Sequence, residues 1–405
     1  MLARLLPPPG PGRQLVIITL ANAIGTGCWQ VSSALYLTRI VGLHPTQVGL
    51  GISAAALATL ISATPLGYLA DRYGPRMLQV TFYLALAVSY AAMIFVNSFV
   101  TFLVVVLAAA VFDSGQRGAR GALIAKTIPA AERVRTRALF RSTANLGYMI
   151  STLAAGLAIA VGTSLAYRSM ILCNAISYIA VAALAMRMPR VEPRPRKKSE
   201  PRLTALRDRP YLAFVVLDGL MNMHVAILAL ILPLWIAYDT HAPRWMTAVC
   251  IFINTIVVVT LQVRTSRGTE ELSAAASAAR VGGTLIGVSC IVFALAKNLP
   301  VWAAVIFLLL ATLIHVFGEL RHSAAGWSLS FGLAPEDSAG QYQATYAMSA
   351  QLGAMLSPAL LTWLILDIGQ AGWVILAGLV VVPAFAMPGI VRWGQQAIGG
   401  REVTT

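Results

Sequence analysis

The sequence predicts an all-α integral membrane protein: twelve transmembrane helices forming two six-helix pseudo-symmetric bundles. Three observations carry this. Only 11% of the 405 residues are charged and 58% are hydrophobic, whereas a soluble domain carries about 25% charged residues. Mean hydropathy is +0.76. Apolar runs of about 20 residues, the length a helix needs to cross a bilayer, recur from end to end. They lack the in–out alternation of a β-barrel. Finally, the two halves share a register 206 positions apart.

The spans fall at about 15–38, 47–70, 77–97, 99–125, 138–161, 165–187, 210–236, 245–263, 279–296, 300–320, 339–366 and 371–391. Before the first lies "MLARLLPPPGPGR", a short Pro-rich tail without a signal-peptide pattern. Of the 30 Lys and Arg, only Arg39, Arg168, Arg244 and Lys297 fall on the side reached by spans 1, 3, 5, 7, 9 and 11. The other twenty-six lie with the termini and the even-numbered loops. Positive loops stay in the cytoplasm, so both termini are expected there, in a multi-pass protein of the cell (plasma) membrane. The net charge of +15 is therefore a topology signal, and no nucleic-acid partner is expected.

Residues 189–209 form a Pro-rich, basic cytoplasmic linker that fits anionic lipid headgroups. It separates an N-terminal six-helix bundle (1–188) from a C-terminal one (210–405). Sliding the chain by 206 places Pro129–Ser151 on Pro335–Ser357 with seven identities, among them Pro129/Pro335, Gly147/Gly353 and Ser151/Ser357. Two parallel six-helix repeats are a transporter plan with its substrate site between the halves near mid-membrane. The cysteines Cys28, Cys173, Cys250 and Cys290 lie inside spans, with no CxxC and no metal-like spacing, so packing is their expected role and no metal is expected. No P-loop, HExxH or GxSxG occurs. An ATP motor and the commoner hydrolase sites are therefore not expected, nor is enzyme activity.

Between spans 2 and 3 the chain reads "GYLADRYGPRML". Gly67 and Gly74 permit a tight turn, and Asp71 carries a negative charge at the membrane face, of the kind that a helix N-terminus can stabilise. Here the chain resembles the major facilitator superfamily, whose loop pattern G-x-L-a-D-r-x-G-r-k is matched by Gly67, Leu69, Ala70, Asp71, Arg72, Gly74 and Arg76; Pro75 departs from it. The run "GWSLSFGLAPEDSAGQYQ" is similar to an actinobacterial branch of the family, and the reading is of a drug/proton antiporter-like member. The resemblance implies the major facilitator fold, with Asp71 docked on the start of span 11 near Ala339–Tyr342 as a conformational latch and Arg72 and Arg76 paired with acids or lipid phosphates. The bland alternative is a positive-inside loop with an incidental acid.

Span 4 carries "FDSGQRGARG" from Phe112 to Gly121. Asp113 lies roughly 21 Å into that helix at about 1.5 Å per residue, and Arg117 shares its face at i, i+4. Charges at this depth are costly and face the bundle interior. Arg117-x-x-x-Gly121 resembles the family's span-4 motif, in which the arginine is implicated in proton transfer; a purely structural Asp–Arg pair is the alternative. Arg120 is expected to face lipid or the loop. The 206 shift sends Asp113 to Glu319 on span 10, with His315 and His322 one turn to either side, and sends Arg117 to Ser323. Acids in low dielectric and histidines can exchange protons near neutral pH; the alternative for Glu319 is a pair with Arg321 or Arg280. On span 7, Asp218 and Asn222 share a face. Aligning Arg13 with Arg209 sets Asn22 against Asp218, which has no cation nearby in sequence.

Further polar groups inside spans are Asn22, Trp29, Gln30, Tyr36, Asn145, Tyr148, Asn222, Asn254, Tyr346 and Gln351, candidates for a substrate cavity or for interhelical hydrogen bonds. Span 5 keeps Gly147 and Gly156 but lacks the proline common in the family's antiporters. The function expected is proton-coupled export of an amphiphilic small molecule by alternating access. Asp113, Asp218, Glu319 and His315 would exchange protons, and Arg117 would tune Asp113. No cofactor is expected beyond the proton gradient as energy source, and the partners are substrate, protons and membrane lipids around a monomer. Proton-linked uptake of a nutrient or lipid-like solute is the alternative. A non-transporting sensor or assembly partner is the second, and an intramembrane enzyme a distant third.

Overall fold

The computed structural model describes residues 10–191, 203–335 and 338–402. The Pro-rich tail at 1–9 and the basic core of the linker at 192–202 lie outside the described residues. Among those described, twelve helices are long and apolar enough to cross a membrane, and no strand occurs. They are α1 (Pro11–Ile40), α2 (Thr46–Tyr73), α3 (Pro75–Phe95), α4 (Phe99–Thr127), α5 (Ala130–Val161), α6 (Ser164–Ala185), α7 (Arg209–Asp239), α8 (Met246–Thr265), α9 (Leu272–Leu295), α10 (Val301–Gly332), α11 (Ala339–Asp367) and α12 (Gln370–Gln396).

The helix starts are written in local chemistry. Ser98 caps α4: its Oγ accepts the N–H of Thr101 at 3.3 Å, and its own N–H donates to Thr101 Oγ1 at 3.1 Å. Asp208 caps α7 through the N–H of Tyr211 at 3.2 Å. Gly74, at φ 92°, breaks the chain between α2 and α3, and Pro75 opens α3 where no N–H is needed. One predicted start and one predicted end move. The basic stretch before position 138 joins α5, which begins at Ala130, and α10 runs on to Gly332 rather than stopping near 320. Charge at a helix end limits the hydrophobic span but not the helix, whose backbone bonds continue beyond the apolar run. The span at 210–236 is interrupted: Met223 and His224 leave the helix in a turn held by i→i+3 bonds to Leu220 and Met221. Irregular backbone at such depth requires protein around it, and both residues are at most 1% exposed.

The chain divides into two compact units, residues 1–205 with 335–347, and 206–334 with 348–405. The boundary near 205 falls inside the predicted linker. Residues 335–347 are a correction, because the sequence reading assigned them to the second bundle. Their helix start is bound to α2 and α5 of the first unit, as described below.

Within the first unit α1 packs on α5 and α6, α2 on α4, and α3 on α4 and α6. Within the second, α7 packs on α12, α8 on α10, and α9 on α10 and α12. Under a shift of six helices, four of the pairings correspond. The repeat read from sequence is thus a repeat of packing. Gly147 of α5 lies where a Cβ would meet Ala23 Cβ at 2.6 Å; its repeat mate Gly353 of α11 lies where a Cβ would meet Asn222 Cβ at 2.9 Å.

Candidate functional site

The deepest cluster of ionisable groups is in the second unit. Asp218 of α7 is 1% exposed, and its carboxylate accepts three hydrogen bonds. His322 Nε2 of α10 lies 3.0 Å from Oδ1; Ser349 Oγ of α11 donates to Oδ2 at 2.7 Å and Asn222 Nδ2 at 2.9 Å. His322 Nδ1 is 3.3 Å from His224 Nε2. With each donor donating, His224 gives its Nε2–H to His322, whose own Nε2–H goes to Asp218. Three ionisable side chains therefore form one hydrogen-bonded chain, ending at the interruption of α7. The ring of His315 lies edge-on to His224 at 5.2 Å, with Nδ1 3.3 Å from Ser289 Oγ. Asp218 thus has a cation-forming neighbour after all, contributed by a helix 104 positions away. Sequence reading noted His322 beside Glu319 but missed both its true partner and His224. The quoted "LDGLMNMH" already held His224, six positions after Asp218.

Glu319 is separate from this chain. It is 7% exposed and accepts a bond from Asn254 Nδ2 of α8 at 2.7 Å. Under the two repeat registers His322 corresponds to Gln116 and Asp218 to Asn22. The first unit therefore carries two amides where the second carries an acid and a base.

In the first unit Asp113 pairs with Arg117, whose Nε donates at 2.9 Å and whose Nη2 contacts the same oxygen; Gln116 Nε2 donates to Oδ1 at 2.9 Å. Their side chains are 43% (Arg117) and 28% (Asp113) exposed, so the pair faces out of the packed interior. Arg120 corrects the expectation of a lipid-facing or loop charge. Its guanidinium lies 4.6 Å over the Phe140 ring of α5 and donates to Thr19 Oγ1 of α1 at 2.5 Å. The i+3 offset turns it between α1 and α5, and α4 reaches them there because both pack in the same unit.

Beside the pair is an aromatic wall. Trp29 meets Tyr90 edge-on at 5.5 Å, Tyr90 stacks on Tyr178 at 5.5 Å, and Tyr178 stacks on Tyr83 at 6.0 Å. Tyr148 lies within electrostatic reach of Asp113, Arg117 and Arg120. Asn22, Asn145, Tyr346 and Gln351 are half-buried, and Gln30 is exposed. Tyr36 is a correction: it is 1% exposed in an apolar cluster with Met93, Phe102 and Tyr167. Its hydroxyl donates toward the Met93 and Ile94 carbonyls at 3.3 and 3.4 Å, so its role here is interhelical packing.

The α2 loop has its own geometry. Asp71 is 6% exposed and receives the N–H groups of Gly340 at 2.8 Å and Gln341 at 3.0 Å, the first turn of α11. Gly67 permits this approach, since a Cβ there would lie 2.5 Å from the Gly340 carbonyl oxygen. Thr64 and Thr345 hydroxyls meet at 2.9 Å, and Arg137 of α5 donates to Gln343 at 3.0 Å. Arg72 is exposed, 3.4 Å from the Tyr68 hydroxyl, and Arg76 is half-buried.

The sequence matches the Major Facilitator Superfamily over residues 15–358. The chain belongs to this family. A facilitator is a transporter, not an enzyme, and this one is a multi-pass membrane protein. Solved facilitators carry the same fold. A bacterial homologue of the iron transporter ferroportin, in an outward-facing state, aligns with TM-score 0.75 and 13% identity over 95% of this chain and 99% of that one. The E. coli fucose:proton symporter aligns with TM-score 0.70 and 15% identity over 95% and 98%. The human organic anion transporter MFSD10 aligns with TM-score 0.65 and 16% identity over 94% and 100%. At such identities the likeness concerns the fold alone. No curated protein matches the sequence significantly.

Proposed function

We propose that this facilitator is a proton-coupled secondary transporter that exports an amphiphilic small molecule by alternating access, with the Asp218–His322–His224 chain carrying the proton. It would work in the cell membrane with both termini in the cytoplasm, as the distribution of basic residues favours. The observation that carries the reading is the buried, fully connected chain of one carboxylate and two imidazoles. A proton taken up on Nδ1 of His224 releases the Nε2 proton to Nδ1 of His322, which becomes an imidazolium against the Asp218 carboxylate. One proton enters and one charge appears on His322, held by a hydrogen bond already formed. Ser349 and Asn222 keep the second carboxylate oxygen satisfied meanwhile, so the buried charge is not stranded. The fucose:proton symporter shows that this fold supports proton coupling.

Asp113 and Glu319 are weaker candidates. Asp113 is already neutralised by Arg117 on its own helix, and Glu319 is held by an amide. The aromatic wall of Trp29, Tyr90, Tyr178 and Tyr83 favours an amphiphilic substrate.

Inside-out membrane vesicles given a panel of fluorescent amphiphiles in the external medium test the reading. Export by exchange predicts uptake when the vesicle interior is acidified, and its loss in Asp218→Asn and His322→Gln. Uptake driven by the opposite gradient would favour symport of a nutrient or lipid-like solute. If no probe responds to a pH gradient of either sign, proton coupling is wrong. If transport is fully retained in both variants, the chain from Asp218 to His224 is not the carrier.

A further inference from the structure

Arg120 has no place in that proton path, and its surroundings are unusual. Among the described residues no carboxylate lies within ion-pair distance of it. Its partners are a hydroxyl and a ring face, Thr19 and Phe140, and its Nε is buried without a hydrogen bond. The surrounding helices offer it few acids. Over α1 to α6 the only carboxylates are Asp71, Asp113 and Glu132. Asp71 is committed to the Gly340 and Gln341 amides. Glu132 is exposed in the first turn of α5. Asp113 is shared with Arg117. Arg137 of α5 is turned to Gln343. Arg120 is thus left without a carboxylate, while Asp113 and Arg117 pair with each other on the more exposed side of the same helix.

A guanidinium in a membrane interior pairs with an anion or lines a polar cavity, and its planar fork suits carboxylate, sulfonate or phosphate oxygens. Tyr83 and Tyr148 both lie within electrostatic reach of all three charges, and Tyr83 is the inner end of the aromatic stack. Apart from Arg120, Asn22 Oδ1 and Gln116 Oε1 are also buried without a partner.

We infer that Arg120, with Arg117 beside it, forms an anion-binding site in the first unit, and that the transported amphiphile is an organic anion. Its carboxylate or sulfonate supplies the anion that Arg120 lacks, and its apolar body lies along the half-buried rings of Tyr90 and Trp29. The inference rests on the transport reading above and names its substrate class.

Equilibrium binding tests it without any pH gradient. The full-length chain in detergent is titrated with 1-naphthalenesulfonate and with a naphthyl-trimethylammonium of the same ring and opposite charge, following tryptophan fluorescence. Expected are saturable sulfonate binding at least tenfold tighter than the cation, a loss of at least tenfold in Arg120→Gln, and a smaller loss in Arg120→Lys, which keeps the charge but not the fork. Arg392→Gln, an exposed cation of α12, should bind like the parent. Thermal melts establish that each variant is folded. If Arg120→Gln does not fold, the parent's charge preference and the Arg120→Lys titration decide. Equal or tighter binding of the cation, no saturable binding of the sulfonate, or unchanged affinity in a folded Arg120→Gln would each overturn the site. Sulfonate binding without gradient-driven uptake overturns the proton reading alone.

Discussion

Replacing Gly67 by alanine should cost far more than one methyl group ordinarily does. The added Cβ would lie 2.5 Å from the Gly340 carbonyl oxygen and 2.7 Å from Ala344 Cβ. The nearer contact is backbone of α11 and cannot rotate away. Reaching ordinary contact near 3.4 Å requires α2 and α11 to part by about 0.9 Å, a displacement that also stretches the two Asp71 bonds. From 2.8 and 3.0 Å they would open to about 3.7–3.9 Å, past the useful range of an N–H···O bond. Overpacking costs about 1–3 kcal/mol, and each charged hydrogen bond contributes about 1.5–3 kcal/mol. Partial relaxation leaves roughly 3–5 kcal/mol, or about 10 °C in melting temperature for a unit of this size. The assay is a double-mutant cycle of melting temperatures at one scan rate, with Gly67→Ala, Asp71→Asn and the pair. Because the alanine already breaks the Asp71 bonds, the double variant should be less destabilised than the sum by about 1.5–3 kcal/mol. A Gly67→Ala protein melting within 2 °C of the parent, or strict additivity, would refute the reasoning.

Glycines on α5 should behave oppositely. Gly147→Leu drives a side chain onto Ala23 and the Ile24 amide and should prevent folding, whereas Gly156 has nothing within 4 Å of a built Cβ and Gly156→Ala should hold or raise the melting temperature by up to about 1 kcal/mol of helix propensity. Trp235→Phe removes the indole N–H that meets the Phe293 carbonyl at 2.9 Å; a loss of about 1–3 kcal/mol is expected in thermal melts, with binding of the naphthyl probes unchanged. Asp113→Asn and Asp218→Asn should separate in the same melts. The first pair is 28–43% exposed, so its loss should stay below about 1 kcal/mol. The second unpairs a buried acid from His322 and should cost about 2–4 kcal/mol.

Much of the candidate site was legible before any coordinates, though with its partners misassigned. Asp113 and Arg117 were found as a pair because i, i+4 spacing fixes their meeting within one helix. The position of Asp71 on the start of α11 came from a motif, since loop spacing alone says nothing about a helix 269 positions away. Asp218 was singled out by its depth, yet its partner His322 was assigned to the neighbourhood of Glu319, four helical faces being available to a residue and only packing choosing among them. Arg120 was sent outward for the same reason. A helical wheel shows which residues share a face, but not which face is buried in a chain apolar all round.

The architecture was legible in the residues alone: twelve spans from hydropathy and two related halves from a gapless register. These follow because lipid forces each segment to satisfy its backbone internally, so length and composition suffice. Packing alone set Asp218 against His322 and Ser349, turned Arg120 toward Thr19 and Phe140, and placed the start of α11 with the first unit. Each depends on which helices approach closely, and that is set by small residues such as Gly67, Gly147 and Gly353, whose meaning appears only when the opposing backbone is in place.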